Sequence, residues 1–320
     1  MENRSVAYDG ALGGEPRYVH ARIAAWRRPP RIVTGECMQS EDFGAIACGN
    51  RPVLLVAPHI GTRVPAQLLE NPAWAPIDGR LSDPAGIAWM ETARAHGMST
   101  VSACIHPCVI DFNVATNNRS LSPRLNRVGL CRTHTSRGEP LYPQGYEPDE
   151  DIVDARIAAW WRPFHQMVTA EIIRLREMHG NIAVLFSHAS SWLSPYREQA
   201  GGTDFNLGTH QGVACDRRLV AALTDAAQAR GRSWVVNGKL GGAFAAQHYG
   251  VPESGVHVVE VEIAGKWRSE LETNGEAGLA GRSPQADMAA LLDSASAAVM
   301  KLPPAAEDVF ATLEAARCGD

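Results

Sequence analysis

The stretch Val53-Leu54-Leu55-Val56-Ala57-Pro58-His59-Ile60-Gly61-Thr62 decides the fold. Five consecutive valine, leucine and alanine residues without polar alternation read as a strand buried on both faces, the habit of a parallel sheet, and Pro58 closes it. Runs of the same short, two-sided apolar character recur at Thr100 to Cys104, Cys108 to Phe112 and Ile182 to Phe186. Ser233 to Val236 and Val256 to Ile263 complete a set of six expected strands, the last alternating Val259, Val261 and Ile263 with Glu260 and Glu262. Between them lie expected helices from Asp83 to His96, from about Asp149 to His179 and from Asp216 to Arg230. Each has an acidic start and a glycine stop, at Gly97, Gly180 and Gly231. In the long helix, Pro163 predicts a kink or break. Pro284 to Met300 reads as an alanine-rich helix capped by Ser283, and the tail after Pro303 as one more. Strands alternating with amphipathic helices define an α/β fold.

Residues 1–50 mix Gly, Arg, Pro and acidic residues and show only one short helical pattern, Val19 to Trp26. They read as an extension packed on a main domain spanning 51–320. Val114 to Glu147, rich in Asn, Arg, Pro and Gly, reads as a long loop, and long loops inside compact enzymes usually line a site.

Thirty Lys+Arg against 35 Asp+Glu give a formal net charge of −5. With no basic, aromatic-rich motif, this argues against a nucleic-acid partner. Apolar runs of about five residues fall far short of the roughly 20 that span a bilayer. The polar start from Met1 to Tyr18 lacks the apolar core of a secretory signal, so the expected location is the cytoplasm, without membrane partners. Seven cysteines without a C-x-x-C pair support neither a disulfide framework nor a zinc ribbon, and read as reduced.

Two histidines stand directly after strands: His59 follows Pro58, and His188 follows Ser187. In open α/β sheets, ligands bind in the crevice at the carboxyl ends of strands. A catalytic zinc site commonly uses two imidazoles and one carboxylate, leaving a position for water. Asp83, opening the helix after His59, is the candidate carboxylate, although Asp before Pro84 also suits a plain helix cap. A general base is then needed, and Glu262, late in a strand of valines, is the candidate; a surface glutamate on an edge strand is the competing reading.

Other segments carry a resemblance: Pro58-His59-Ile60-Gly61-Thr62 with Val64-Pro65, Val109-Ile110-Asp111-Phe112-Asn113, Gly129-Leu130-Cys131 and Gly138-Glu139-Pro140-Leu141-Tyr142. Trp161-Arg162-Pro163-Phe164-His165, Asn206-Leu207-Gly208, Val236-Asn237-Gly238, His248-Tyr249-Gly250 and Glu260-Val261-Glu262 follow in order. Over about residues 51–300 the chain resembles the N-formylglutamate amidohydrolases. The resemblance implies kinship with zinc carboxypeptidases and aspartoacylases. It implies one α/β domain whose mixed central sheet carries helices on both faces, zinc-carboxypeptidase-like (phosphorylase/hydrolase-like). It also implies metal-dependent amide hydrolysis, with His59, Asp83 and His188 as ligands of a divalent ion, Zn2+, and Glu262 as the general acid/base.

Departures from that family's pattern bear on the substrate. Where the family carries Arg after Asp-x-Asn, this chain has Val114, and where it carries Arg shortly after the second ligand histidine, this chain reads Ala189-Ser190-Ser191-Trp192. Around Asn237 the family uses Arg and Lys, against Lys239, Gly241 and Gly242 here. Losing several guanidinium groups argues against a dianionic substrate. Arg119, Arg124, Arg127, Arg132 and Lys239 could restore some charge, and Asn113, Arg119, Asn237, Lys239 and Ser191 are the candidate substrate-binding residues. The expected activity is hydrolysis of a small N-formyl or N-acyl amino acid. A catalytically degenerate member that binds a ligand or partner is the alternative, and a hydrolase but not a degenerate member requires stoichiometric metal.

Overall fold

The computed structural model describes residues 38–117, 129–135, 138–189, 202–238, 240–241, 244–272 and 283–305. Eight strands form one sheet: β1 (Met38–Ser40), β2 (Gly44–Ala47), β3 (Val53–Ala57), β4 (Ser99–Ala103), β5 (Ile182–Ser187), β6 (Phe205–Gly208), β7 (Trp234–Val236) and β8 (Val256–Ile263). Their order is β1-β2-β4-β3-β5-β8-β6-β7. The central β4, β3, β5 and β8 run parallel, β2 and β6 are antiparallel to their inner neighbours, and the sheet is therefore mixed. Every residue of β3 and β5 is buried, as their continuous apolar runs predict, and so is every residue of β8, although Glu260 and Glu262 alternate with its valines.

The helices are α1 (Ala66–Leu69), α2 (Pro84–Ala95), α3 (Glu150–Arg156), α4 (Arg162–His179), α5 (Arg217–Ala229), α6 (Phe244–Tyr249), α7 (Gly265–Glu272) and α8 (Pro284–Val299). Alternation along the strands divides the core into two layers. Leu54, Val56, Val184, Phe186, Val256 and Val258 face α4 and α6, with Phe164, Val168 and Tyr249. Leu55, Leu185, Val259 and Val261 face the opposite side, with Trp89, Leu223, Trp267 and Leu291 from α2, α5, α7 and α8. Asp149, Asp216 and Ser283 cap their helices by accepting backbone N–H bonds, and Gly97, Gly180 and Gly231 take positive φ at the stops.

Several sequence expectations need correction. Cys108–Phe112 is a buried turn and no strand. Its backbone bonds go to the His106 ring, which accepts Cys108 N–H, and to the 130–132 segment through Asp111 N–H···O Leu130 and Arg132 N–H···O Cys108. Residues 38–47, read as part of the extension, instead add two antiparallel strands to the sheet's edge. β6, with Asn206 and Gly208 among four residues, was not expected. The long helix is interrupted as Pro163 predicts, in the form of a π turn over Ile157–Trp161. The short helix at Val19 to Trp26 and most of the tail after Pro303 lie outside the described residues. Among the described residues no helix is long and apolar enough to cross a membrane, and none of the five described cysteines is in a disulfide.

Candidate active site

The carboxyl ends of β3, β5 and β8, three neighbouring parallel strands, bring His59, His188 and Glu262 to one corner. His59 is buried beyond the end of β3, and its Nε2 lies 2.8 Å from Asp111 Oδ1. Ala189 N–H donates to His59 Nδ1 at 3.2 Å, which leaves the proton on Nε2 and the lone pair on Nδ1. Burial opposes a charged ring, but the charge and hydrogen bond of Asp111 outweigh it, and the His59 pKa lies above the ordinary histidine value. Asp111 in turn takes Arg132 on Oδ2 at 2.7 Å and Asn113 N–H on Oδ1 at 3.0 Å. Burial would raise its pKa; the His59 and Arg132 contacts hold it well below the carboxylate range. The resulting Arg132–Asp111–His59 chain fixes the tautomer and the ring plane.

His188 directly follows β5, and its N–H donates to Val261 O at 2.7 Å, next to Glu262. Its ring meets that of His59 edge-on, with centroids 5.4 Å apart. Its Nδ1 lies 3.1 Å from Ala189 O, so this atom donates and Nε2 bears the lone pair. Burial first, and the neighbouring His59 second, push its pKa down.

Asp83 occupies the N-cap position of α2, yet its side chain makes no capping bond. Instead Ser187 Oγ–H donates to Asp83 Oδ2 at 2.7 Å, tying the carboxylate to the residue before His188. Gly86 lets it in: a Cβ there would stand 2.5 Å from Asp83 Oδ2 and 2.7 Å from Ile60 Cγ2. The preceding loop is held by His106, whose Nδ1 accepts Cys108 N–H and whose Nε2 faces Ser82 Oγ at 3.1 Å. Burial and the nearby Arg132 push the His106 pKa down to about 3, so this ring stays neutral.

Glu262 is fully buried on β8, and Asn206, its register partner on β6, donates Nδ2–H to Oε2 at 2.6 Å. A position between β6 and β5 excludes the edge-strand reading. Glu260, two residues earlier and on the same face, accepts Asn113 Nδ2–H on Oε2 at 2.8 Å and Ala246 N–H on Oε1 at 3.1 Å. Burial pushes its pKa up to about 7 in spite of those donors.

The donor types, two imidazoles and a carboxylate, are those of a divalent-cation site, although the His59 Nδ1 lone pair accepts Ala189 N–H here. Among the described residues no three His, Cys, Asp or Glu side chains converge closely enough to hold a metal ion. The two rings meet, and Asp83 stands one hydrogen bond away through Ser187.

The expected substrate-binding residues are dispersed. Asn113 reaches the site, but both ends of its amide are engaged, Nδ2 by Glu260 and Oδ1 by Ala245 N–H. Asn237 ends β7 at a positive φ of 54°, its side chain bonded to Thr209 N–H and Oγ1. Arg132 is committed to Asp111. Arg119, Lys239 and Ser191 lie outside the described residues. Sequence reasoning did not assign roles to Asp111, Ser187, Asn206 or Glu260. The Asp-x-Asn spacing was visible, but pairing across strands gives the others their parts.

Residues 51–267 match the family model described as N-formylglutamate amidohydrolase. An N-formylglutamate deformylase of Pseudomonas aeruginosa is 33% identical over 221 residues, covering 68% of this chain and 81% of that relative. One of Pseudomonas putida is 31% identical over 225 residues, with the same coverage of 68% and 81%. Among solved structures, the fold is similar to an N-formylglutamate amidohydrolase from Ralstonia eutropha, with a TM-score of 0.66 at 20% identity over 82% of this chain and 100% of that one. A gene product from Agrobacterium tumefaciens gives a TM-score of 0.57 at 17% identity, covering 86% and 97%.

Proposed function

We propose, from the premise that the chain belongs to the N-formylglutamate amidohydrolase family, that it hydrolyses the amide bond of a small N-formyl or N-acyl amino acid with the help of a divalent ion, zinc. The relatives' names support amide hydrolysis of a formyl amino acid. The observation that carries the reading is the buried Glu262 beside the His59–His188 pair at three adjacent strand ends.

His59, Asp83 and His188 would hold the ion, which when bound supplies a Lewis acid for the amide carbonyl and for water. Asp111 and Arg132 keep the His59 lone pair on Nδ1, and Ser187 steadies Asp83. Glu262, aimed by Asn206, takes the proton of the attacking water and returns it to the leaving nitrogen. The amide C–N bond breaks, a C–O bond forms, and formate and the free amine leave. Burial of these groups keeps bulk water from competing for their hydrogen bonds.

Metal analysis together with release of free amine from N-formyl amino acids tests this. Wild type is expected to bind stoichiometric metal and turn over, and Glu262→Gln to keep the metal and lose activity by at least about 10²-fold. Full activity in that variant overturns the role of Glu262, and a metal-free, inactive wild type favours a ligand-binding member instead.

A further inference from the structure

Beyond Asn113 stands a cluster of rings. Asn113 ties Glu260 on β8 to Ala245 N–H in the first turn of α6, and Glu260 takes Ala246 N–H besides. These bonds fasten α6 beside the strand end that carries Glu262, and α6 opens with Phe244. Phe244 stacks on His248 with centroids 4.8 Å apart and 24° between planes, and lies 6.0 Å from Trp161. Trp161 Nε1–H donates to Val114 O at 3.0 Å, which brings the residue after Asn113 into the same cluster. Val114 and Phe244 are half-buried and His248 is exposed, so solvent reaches this cluster.

Charge decides what this cluster suits. Among the described residues, Arg132 pairs with Asp111 through Nη2, and Arg156 donates to Val109 O and Tyr142 Oη. The carboxyl group of Glu260 lies behind Asn113, so a second carboxylate entering here meets rings and another acid. An apolar side chain meets aromatic faces and loses only water.

We infer that Val114, Trp161, Phe244 and His248 receive the side chain of the substrate, and that the preferred N-acyl amino acid is apolar or aromatic, not acidic. This rests on the amidohydrolase reading above and adds its substrate class.

The test compares kcat/KM of the zinc-loaded protein for N-formyl-L-phenylalanine and N-formyl-L-glutamate, in wild type, Phe244→Ala and Val114→Arg. The expected wild-type preference for formylphenylalanine is tenfold or more, on the order of what one or two methylenes confer in an apolar pocket. Phe244→Ala should lower kcat/KM for formylphenylalanine about tenfold more than for formylglutamate, mainly through KM, and Val114→Arg should shift preference toward formylglutamate by a similar factor. A wild-type preference for formylglutamate, with both variants affecting the two substrates alike, overturns the inference and leaves the amidohydrolase reading standing. If neither compound is hydrolysed, that reading fails, and thermal stabilisation by N-formyl-L-phenylalanine decides the cluster alone. Stabilisation lost in Phe244→Ala upholds it; stabilisation absent, or unchanged by the substitution, overturns it.

Discussion

Replacing Glu260 by Gln removes one buried titration and little else. Burial raises this carboxyl from the ordinary 4.5 to about 7, against the pull of Asn113 and the α6 amides. The folded chain therefore holds the proton more tightly than the unfolded chain between those values, and stability falls as pH rises through that window. At about 1.36 kcal/mol for each tenfold change in proton affinity, the full effect is about 3 kcal/mol, of which about 2.5 develops between pH 5 and pH 8. Gln keeps one acceptor but turns an amide toward the Asn113 and Ala246 donors, a constant loss on the order of 1 kcal/mol that does not vary with pH. Urea unfolding of the metal-free proteins at both pH values measures the difference. Relative to wild type, Glu260→Gln should gain about 2.5 kcal/mol on going from pH 5 to pH 8. A gap that stays constant within about 0.5 kcal/mol would refute the argument, because it would mean that Glu260 is already ionised at pH 5 in the folded state.

Asp111→Asn leaves Arg132 without its counter-ion and loosens the His59 tautomer, so metal affinity should fall about 10- to 100-fold in a chelator competition; unchanged affinity would show that the ring is oriented by other means. Gly86→Ala puts a methyl group 2.5 Å from Asp83 Oδ2. Displacement of that carboxylate should lower kcat/KM about tenfold or more with the circular dichroism spectrum intact, and wild-type kinetics would remove Asp83 from the machinery. Phe186→Ala empties a fully buried position stacked on Tyr249 with centroids 5.5 Å apart. It should cost about 3–5 kcal/mol in denaturant unfolding, and a loss below about 1 kcal/mol would contradict the packing of this layer.

What could be read from residue order follows from how each element earns its stability. β3 and β5 are apolar on both faces because they are covered on both faces, so their runs stand out unaided, whereas β8 is covered on both faces but carries Glu260 and Glu262 on one of them and shows only through its valines. β6 carries Asn206 to hold Glu262 and Gly208 to pass close to Leu240, and with half its residues so employed it shows no strand pattern. β1 is the edge strand and β2 the next one in, with only alternate residues buried, so polar residues and glycine suffice there. Cys108–Phe112 misled for the opposite reason: Val109, Ile110 and Phe112 are as buried as any strand, but in a turn whose backbone finds partners outside the sheet. At the site, His59 and His188 were legible because they end apolar runs. Glu260 and Asn206 were not, since their roles come from which residue of another segment lies opposite, and spacing along one segment does not encode that.

The π turn at Ile157–Trp161 acts as a phase shift built into a rod. With 100° of rotation per residue in an ordinary helix, one extra position lets the upstream half present Arg156 to Val109 O while the downstream half presents Trp161 to Val114 O. A shorter lineage lacking a single alanine between them would keep an unbroken cylinder but could satisfy only one of these two anchors. Insertions and deletions are ordinarily absorbed by surface connections; here the length of a helix, counted to the residue, sets how it grips the 109–114 segment.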